Sequence, residues 1–422
     1  MSKSFIKGIQ GRDACSMELK SCKKLYNSET QRTIPPEETL LKVEALLPVA
    51  GITRVADITS LDRIGIPVFS SIRPMAKDGA ISVYNGKGAT PVEAKVSAMM
   101  EGIERCSAEP SIRETVNAAY GALPMGMRAV DPKDLILPEG VDASAMIPWV
   151  EGYDIASNRE TWVPVHAVFH PLPRFTLPLF RTNTNGLASG NTREEAIFHA
   201  LMELIERDAW SLAEITRRTG KRVVNVRSGL ERELLDKFTN AGVEVIIKDI
   251  TSDIGIPTIA AVSDDVRLKD PTLLTIGMGT HTNAKIALLR ALTETAQSRL
   301  TQIHGAREDT EVADFRRKIG YERTRRLNRY WFESDSEADF SSIPSSDTDD
   351  FLTDIRNVID ALGNAGLNNV IVVDLTRPDI GVPVVRVIVP GLEVFAMDGE
   401  RSGRRCNEAR TRRVPRAESS PA

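Results

Sequence analysis

Three stretches of this chain spell out one passage: an amphipathic helix, Ala-Gly at its end, a β-branched run, Asp-Ile/Leu-Thr, then Asp, Gly and Pro before a second β-branched run. They cover Leu40 to Phe69, Leu234 to Val262 and Ile359 to Val389. The anchors are Asp57, Thr59, Asp62, Gly65 and Pro67; Asp249, Thr251, Asp253, Gly255 and Pro257; and Asp374, Thr376, Asp379, Gly381 and Pro383. Gly51, Gly242 and Gly366 stand where a helix end wants a left-handed residue. The β-branched runs have strand composition. Asp and Thr cap the turn through side-chain to backbone bonds, and Pro opens the next strand where a missing amide proton is tolerable. Turn chemistry accounts for these Asp and Thr residues, so they read as structural. A further pair of apolar runs around Ser157 to Arg159 reads as a hairpin. The expected fold class is α+β, a large architecture of repeated helix and β-hairpin units.

Between these units the chain repeats a different helix, expected over Thr90 to Ala108, Thr192 to Arg218 and Thr282 to Leu300. Glu101 and Glu104, Glu203 and Glu206, and Glu294 and Gln297 occupy matching places. The first two copies also align Glu93 with Glu195, Ala94 with Ala196 and Ala98 with Ala200. Residues three apart share a helical face, so each copy aims two oxygen-bearing side chains the same way. A lone ExxE is ordinarily a solvated charged face. Here the neighbours are Ala, Met, Leu and Ile, which suggests burial, where unpaired carboxylates are costly. Hard divalent ions such as Mg2+ take such ligands. Glu101, Glu104, Glu203 and Glu206 are therefore the candidate metal ligands. Gln297 lowers the charge of the third copy, which is expected to complete a pocket rather than to carry the metal.

YNGKGATP and RTNTNGLASGNT place Gly-rich backbone ahead of the first two of these helices. Free amides and the helix dipole favour an anion there. Gly-rich turns before helices are also common as mere turns, and neither is a P-loop. Beside magnesium-type carboxylates, the joint reading is a nucleoside triphosphate with Mg2+. Lys87, Arg105, Arg207 and Arg299 could supply the positive charge, or each arginine could pair with a neighbouring glutamate.

The net charge of −4 gives no reason to expect nucleic-acid binding. No apolar run suits a bilayer and the first residues lack a signal-peptide core, so no membrane association and a cytoplasmic location are expected. Cys15, Cys22, Cys106 and Cys406 show no paired metal spacing, and the five histidines show no HExxH or HxH pattern. The expected organisation is an N-terminal segment over 1–31, a catalytic domain over 32–398 with an exposed acidic loop at 334–350, and a basic C-terminal tail over 399–422. The Arg-rich stretch from Arg401 to Arg416 reads as a solvated terminus.

SAMMEGIER, NTNGLASGNTREEA with MELIERD, and TETAQSR, in that order, resemble the three nucleotide-binding signatures of YcaO-domain proteins. The resemblance runs from about Arg32 to about Glu393, and SFIKGIQGRDACSMEL adds a weaker likeness at the start. It implies a YcaO-type fold with the three acidic helices lining a nucleotide site, and ATP- and Mg2+-dependent activation of a peptide backbone amide. It further implies ATP and metal contacts for Ser97, Glu101, Glu104, Asn191, Glu195, Glu203, Glu206, Arg207 and Gln297. No residue announces itself as a general base. Azoline-forming members generally end in a PxPxP-like tail, whereas this chain ends RRVPRAESSPA. GITRVADITSLDRIGIPVFSSIRP resembles members that act with TfuA proteins in thioamide formation, and most of all the methanogen branch that forms thioglycine in the methyl-coenzyme M reductase α subunit. The expected function is accordingly sulfide-dependent thioamidation of a glycine in a peptide or protein substrate, with a TfuA partner, a sulfide donor and a homo-oligomeric state. The alternatives are an azoline-forming cyclodehydratase and a non-catalytic ATP-binding scaffold.

Overall fold

The carboxylates of Asp57, Asp249 and Asp374 each accept from the N–H of the Thr two residues on, at 2.9, 3.0 and 2.9 Å. Each Thr hydroxyl in turn accepts from the first N–H of the following strand, from Val68 and Thr258 at 3.1 Å and from Val384 at 3.2 Å. Gly51, Gly242 and Gly366 all have positive φ, at 74°, 65° and 80°. The threefold passage is thus one turn built three times, by side-chain mimicry of a backbone turn. These details come from a computed structural model that describes residues 17–110, 113–173, 178–307 and 311–411. Most of the SFIKGIQGRDACSMEL segment and the tail from residue 412 lie outside the described residues.

In chain order the elements are α1 (Pro36–Glu44), β1 (Arg54–Asp57), β2 (Val68–Ile72), β3 (Val83–Lys87), α2 (Pro91–Ala108), β4 (Val116–Ala118), β5 (Ile147–Asp154), β6 (Arg159–Pro164), β7 (Leu187–Ser189) and α3 (Arg193–Thr216). There follow β8 (Lys221–Val224), α4 (Leu230–Asn240), β9 (Glu244–Asp249), β10 (Thr258–Asp264), β11 (Ile276–Thr280), α5 (Ala284–His304), α6 (Glu311–Ile319), α7 (Tyr321–Leu327) and α8 (Arg329–Phe332). The chain closes with β12 (Glu337–Asp339), α9 (Phe351–Asn364), β13 (Ile371–Asp374), β14 (Val384–Ile388) and α10 (Arg404–Thr411). Three sheets result, ordered β1-β2-β3, β11-β10-β9-β8-β12 and β4-β5-β13-β14-β7, with β6 paired to β5 as the hairpin.

Each sheet contains the same three antiparallel strands, followed by an acidic helix packed on them. Val68 faces Lys87, Thr258 faces Thr280 and Val384 faces Ser189. In the third unit the edge strand β7 and its helix α3 come earlier in the chain than α9, β13 and β14. That unit is circularly permuted, which hides the joining of its two parts from a linear reading. The helices lie close on their strands because small residues allow it. A Cβ on Gly86 would sit 1.9 Å from the backbone nitrogen of Ala98, and one on Gly279 2.0 Å from the carbonyl oxygen of Ala287.

The acidic helices start where capping chemistry places them. Thr90 and Glu93 form a reciprocal capping box, and Thr192 accepts from Glu195 N. The third helix starts later than expected, because Asn283 rather than Thr282 is the cap. Apolar faces of α3 and α9 meet β14 through Phe198, Leu201, Ile205, Ile355 and Val385, all nearly inaccessible. Among the described residues no helix is long and apolar enough to cross a membrane.

Two polar stretches differ from expectation. Residues 334–350 are not simply an exposed loop: β12 pairs parallel with β8, and buried Asp350 caps α9 by accepting from Thr353 N at 3.0 Å. The basic stretch from Arg401 is not a solvated terminus through residue 411. Arg401 and Arg405 are buried, and α10 is anchored on α3. Composition registers polarity, but partners of these groups lie far away in sequence: Cys22 N for Asp350, Asp208 for Arg405 and the carbonyls of Leu135 and Ile136 for Arg401.

Candidate functional site

The edge strands end in equivalent hydrogen bonds. Gly88 N donates to Pro67 O at 3.4 Å, Gly190 N to Pro383 O at 3.1 Å and His281 N to Pro257 O at 3.1 Å. Counting from these three residues, Glu101, Glu203 and Glu294 fall at one helical position, and Glu104, Glu206 and Gln297 at the next turn. A third set, Ser97, His199 and Arg290, also coincides. The threefold relation therefore extends to the polar face of each helix.

The second position of each helix reaches the edge strand of the next unit. Glu104 Oε2 accepts from Ser189 N at 3.0 Å, where β7 ends. Glu206 Oε2 accepts from Thr280 N at 3.1 Å, where β11 ends. Gln297 Nε2 donates to the carbonyl of Asn85 in β3. The ring of contacts closes α2 on β7, α3 on β11 and α5 on β3. It also gives a reason for the amide in the third copy: the partner there is a carbonyl, to which a carboxylate cannot donate. Ser97 Oγ accepts from Lys87 N at 3.3 Å, and the Lys87 ammonium pairs with Glu294. Arg105 bonds Glu101 at 3.0 Å, while Glu203 accepts from Gly186 N at 3.3 Å.

Burial and neighbouring charges set the electrostatics of this cluster. Burial pushes Glu104 up to about 8, partly opposed by Arg105 and reinforced by Glu203 and Glu101. Burial and Glu294 push Glu206 up to about 6, with Arg207 opposing. Glu294 is held low because Lys87 and Arg207 outweigh its burial. His199 stays neutral, since burial and the cations Arg290, Arg32 and Lys87 disfavour its charged form. Arg105 Nε, Arg207 Nε, Arg290 Nε and Asn85 Oδ1 are buried and have no partner among the described residues. Among the described residues, no three acidic, histidine or cysteine side chains are gathered closely enough to hold a metal ion by themselves. Mg2+ is typically held by one or two carboxylates together with substrate phosphates. Paired carboxylates next to guanidinium groups that each keep a buried Nε donor unused fit a magnesium–phosphate ligand.

The raised value of Glu104 has a testable sign. The folded, ligand-free chain keeps a proton that the unfolded chain releases above 4.5, so stability falls as pH rises from there to about 8. We expect the ligand-free melting temperature to be lower at pH about 9 than at pH about 6, and Mg-nucleotide to stabilise more at the higher pH. A ligand effect that shrinks as pH rises would contradict this.

Asn191 and Glu195 bond to a neighbouring segment. Glu195 accepts from Thr33 N at 2.9 Å and Thr33 Oγ1 at 2.7 Å, and Asn191 bonds Glu195 and Thr39. Both therefore tie the 32–39 segment to α3. Arg299 is not brought to the cluster at all. Its side chain is fully buried against Asp62 and Asp265, on the opposite side of α5 from Gln297. Sequence reasoning named neither His199 nor Arg290 for the site. The signal was available, since each lies one helical turn before its helix's first Glu.

The YcaO cyclodehydratase, ATP- and Mg2+-binding family model matches residues 85–393. The chain is 52% identical over 381 residues to an uncharacterized protein of Methanothermobacter thermautotrophicus, covering 89% of this chain and 98% of that one. It is 34% identical to an uncharacterized protein in the tfuA 3′ region of Rhizobium leguminosarum bv. trifolii, covering 86% and 89%. Among solved structures it resembles YcaO from Methanopyrus kandleri bound with AMPPCP and Mg2+, with a TM-score of 0.77, 30% identity and coverage of 91% and 98%. It also resembles a heterocyclase in complex with substrate and cofactor, with a TM-score of 0.78, 26% identity and coverage of 92% of this chain and 55% of that one. With a family match over most of its length and helices that carry the matched signatures, this chain belongs to the YcaO family of ATP- and Mg2+-binding proteins.

Proposed function

We propose that this protein is an ATP- and Mg2+-dependent enzyme that activates a peptide backbone amide, and that it uses the activated amide to form a thioamide. The observation that carries the first part is the cluster on α2, α3 and α5, where carboxylates with raised pKa lie beside guanidinium groups whose buried Nε atoms have no partner among the described residues. In this reading Glu101, Glu104, Glu203 and Glu206 hold Mg2+, which would neutralise phosphate charge. Lys87, Arg105, Arg207 and Arg290 face the phosphates, Ser97 and Gln297 fix the strand end beneath them, and Asn191 with Glu195 holds the flanking segment. Phosphoryl transfer depends chiefly on such positioning and charge neutralisation. No side chain of the cluster is assigned as general base.

For the nucleophile, two readings have support. The name of the family and the likeness to a heterocyclase favour azoline formation, in which a side chain of the peptide attacks its own backbone. The tfuA neighbourhood of one relative and the methanogen sources of two others favour an external sulfide, acting on a glycine in a protein such as the methyl-coenzyme M reductase α subunit, with a TfuA partner. Incubation with ATP, Mg2+, sulfide and a Gly-containing peptide separates them. Thioamide formation gives the mass gain of oxygen replaced by sulfur. Loss of water from a Cys or Ser peptide without sulfide would establish the azoline reading instead. Nucleotide binding without peptide-dependent phosphate release would leave a scaffold.

A further inference from the structure

Against Leu204, the residue that follows Glu203, lies a cavity of about 60 Å³, lined also by Phe180, Asn183, Asn185, Arg386 and Arg401 among others. Arg386 is 4% exposed, and its guanidinium spends Nε on Ala167 O at 2.9 Å and one terminal nitrogen on Asn183 O at 3.0 Å. Among the described residues its other terminal nitrogen, buried, has no partner, and neither has Asn185 Oδ1. Arg401 lies over the Phe180 ring at 4.0 Å and donates to the carbonyls of Leu135 and Ile136. Among the described residues neither guanidinium has an ion-pair partner. Two buried cations that share a small cavity and bond, among the described residues, to neutral acceptors give it the chemistry of an anion site.

We propose that this cavity is a subsite for a small monovalent anion, held by Arg386 and Asn185, and that its occupant is the hydrosulfide nucleophile. The occupant rests on the thioamide reading; the anion site does not. A site holding a water needs about 10–15 Å³ by the same kind of measure, so the cavity admits a few water-sized atoms and no nucleotide or peptide segment. Hydrosulfide is that small, accepts from a guanidinium through its charge, and carries one S–H for the Asn185 amide oxygen. Burial holds both guanidinium groups down at about 10, a cost that a bound anion would relieve. Arg386 also feels Glu203 and Glu104, which puts the subsite next to the cluster.

The reaction balances with this occupant. Sulfur bonds to the amide carbon as the C=O π pair moves onto oxygen; that oxygen takes the γ-phosphoryl group and ADP leaves. The C–O bond then breaks, C=S forms, and the hydrosulfide proton departs with inorganic phosphate.

Crystals of the full chain soaked in bromide should show an anomalous peak beside Arg386 that hydrosulfide displaces and inorganic phosphate does not. In solution, Arg386→Gln should raise the KM for sulfide by at least about tenfold while the KM for ATP holds within about threefold, with Arg386→Lys intermediate. Absence of bromide from wild-type crystals overturns the subsite without reference to any variant's folding. Displacement by phosphate but not by hydrosulfide overturns the occupant. Displacement by hydrosulfide in a protein that forms no thioamide would keep the subsite and refute the thioamide reading.

Discussion

Glu203→Gln should lower peptide-dependent ATP turnover by about 10²–10³-fold while leaving the melting temperature unchanged or slightly raised. Glutamine keeps the shape of the side chain and the oxygen that accepts from Gly186 N. It removes one negative charge from a region where Glu203 repels Glu104 and attracts Arg105 and Arg207. In the ligand-free protein the relieved repulsion and the lost attraction offset each other; with magnesium and triphosphate bound the change removes a ligand. Stability and activity should therefore part company, which a packing defect would not produce. Turnover within about threefold of the parent, at saturating magnesium, would remove Glu203 from the metal site.

The units that recur in direct order were legible because each is written in local chemistry. Asx turns, left-handed glycines and helix caps act within a few residues, so the sequence shows them in full. The polar faces of the acidic helices were legible for the same reason, by helical spacing. What a linear reading lacked was the way the units meet. The permuted third unit joins β7 to β14, strands on either side of half the chain, and only that pairing brings Ser189 to Glu104. Arg299 shows the converse error. It sits two residues beyond Gln297 in a matched signature, yet a helix turns it away and Asp62 and Asp265 claim it. A motif identifies a helix; the helix's rotation decides which of its residues the site receives.

The C-terminal basic stretch carries the largest expected effect on stability. Arg405 meets Asp208 with two bonds, Nε to Oδ1 at 2.9 Å and a terminal nitrogen to Oδ2 at 2.8 Å, and also reaches Asp253. The Asp208 side chain is fully buried and that of Arg405 only 7% exposed. Arg405→Ala strands the Asp208 carboxylate in the interior with the backbone N–H of Glu393 as its remaining contact on α10's side. Breaking a buried pair from one side costs about 3–5 kcal/mol, whereas replacing both partners with apolar residues is often close to neutral. The single variant should therefore be the least stable of the series, and Arg405→Leu with Asp208→Leu should recover part of the loss, both read by chemical denaturation. Asp208 follows Arg207 on α3, so loosening α10 also frees the end of the α3 segment that carries Glu206. Magnesium-nucleotide affinity should fall in Arg405→Ala and recover in the double variant in step with stability. A loss below about 1 kcal/mol in the single variant would mean that the pair is screened by solvent and that α10 is not an anchored part of the fold.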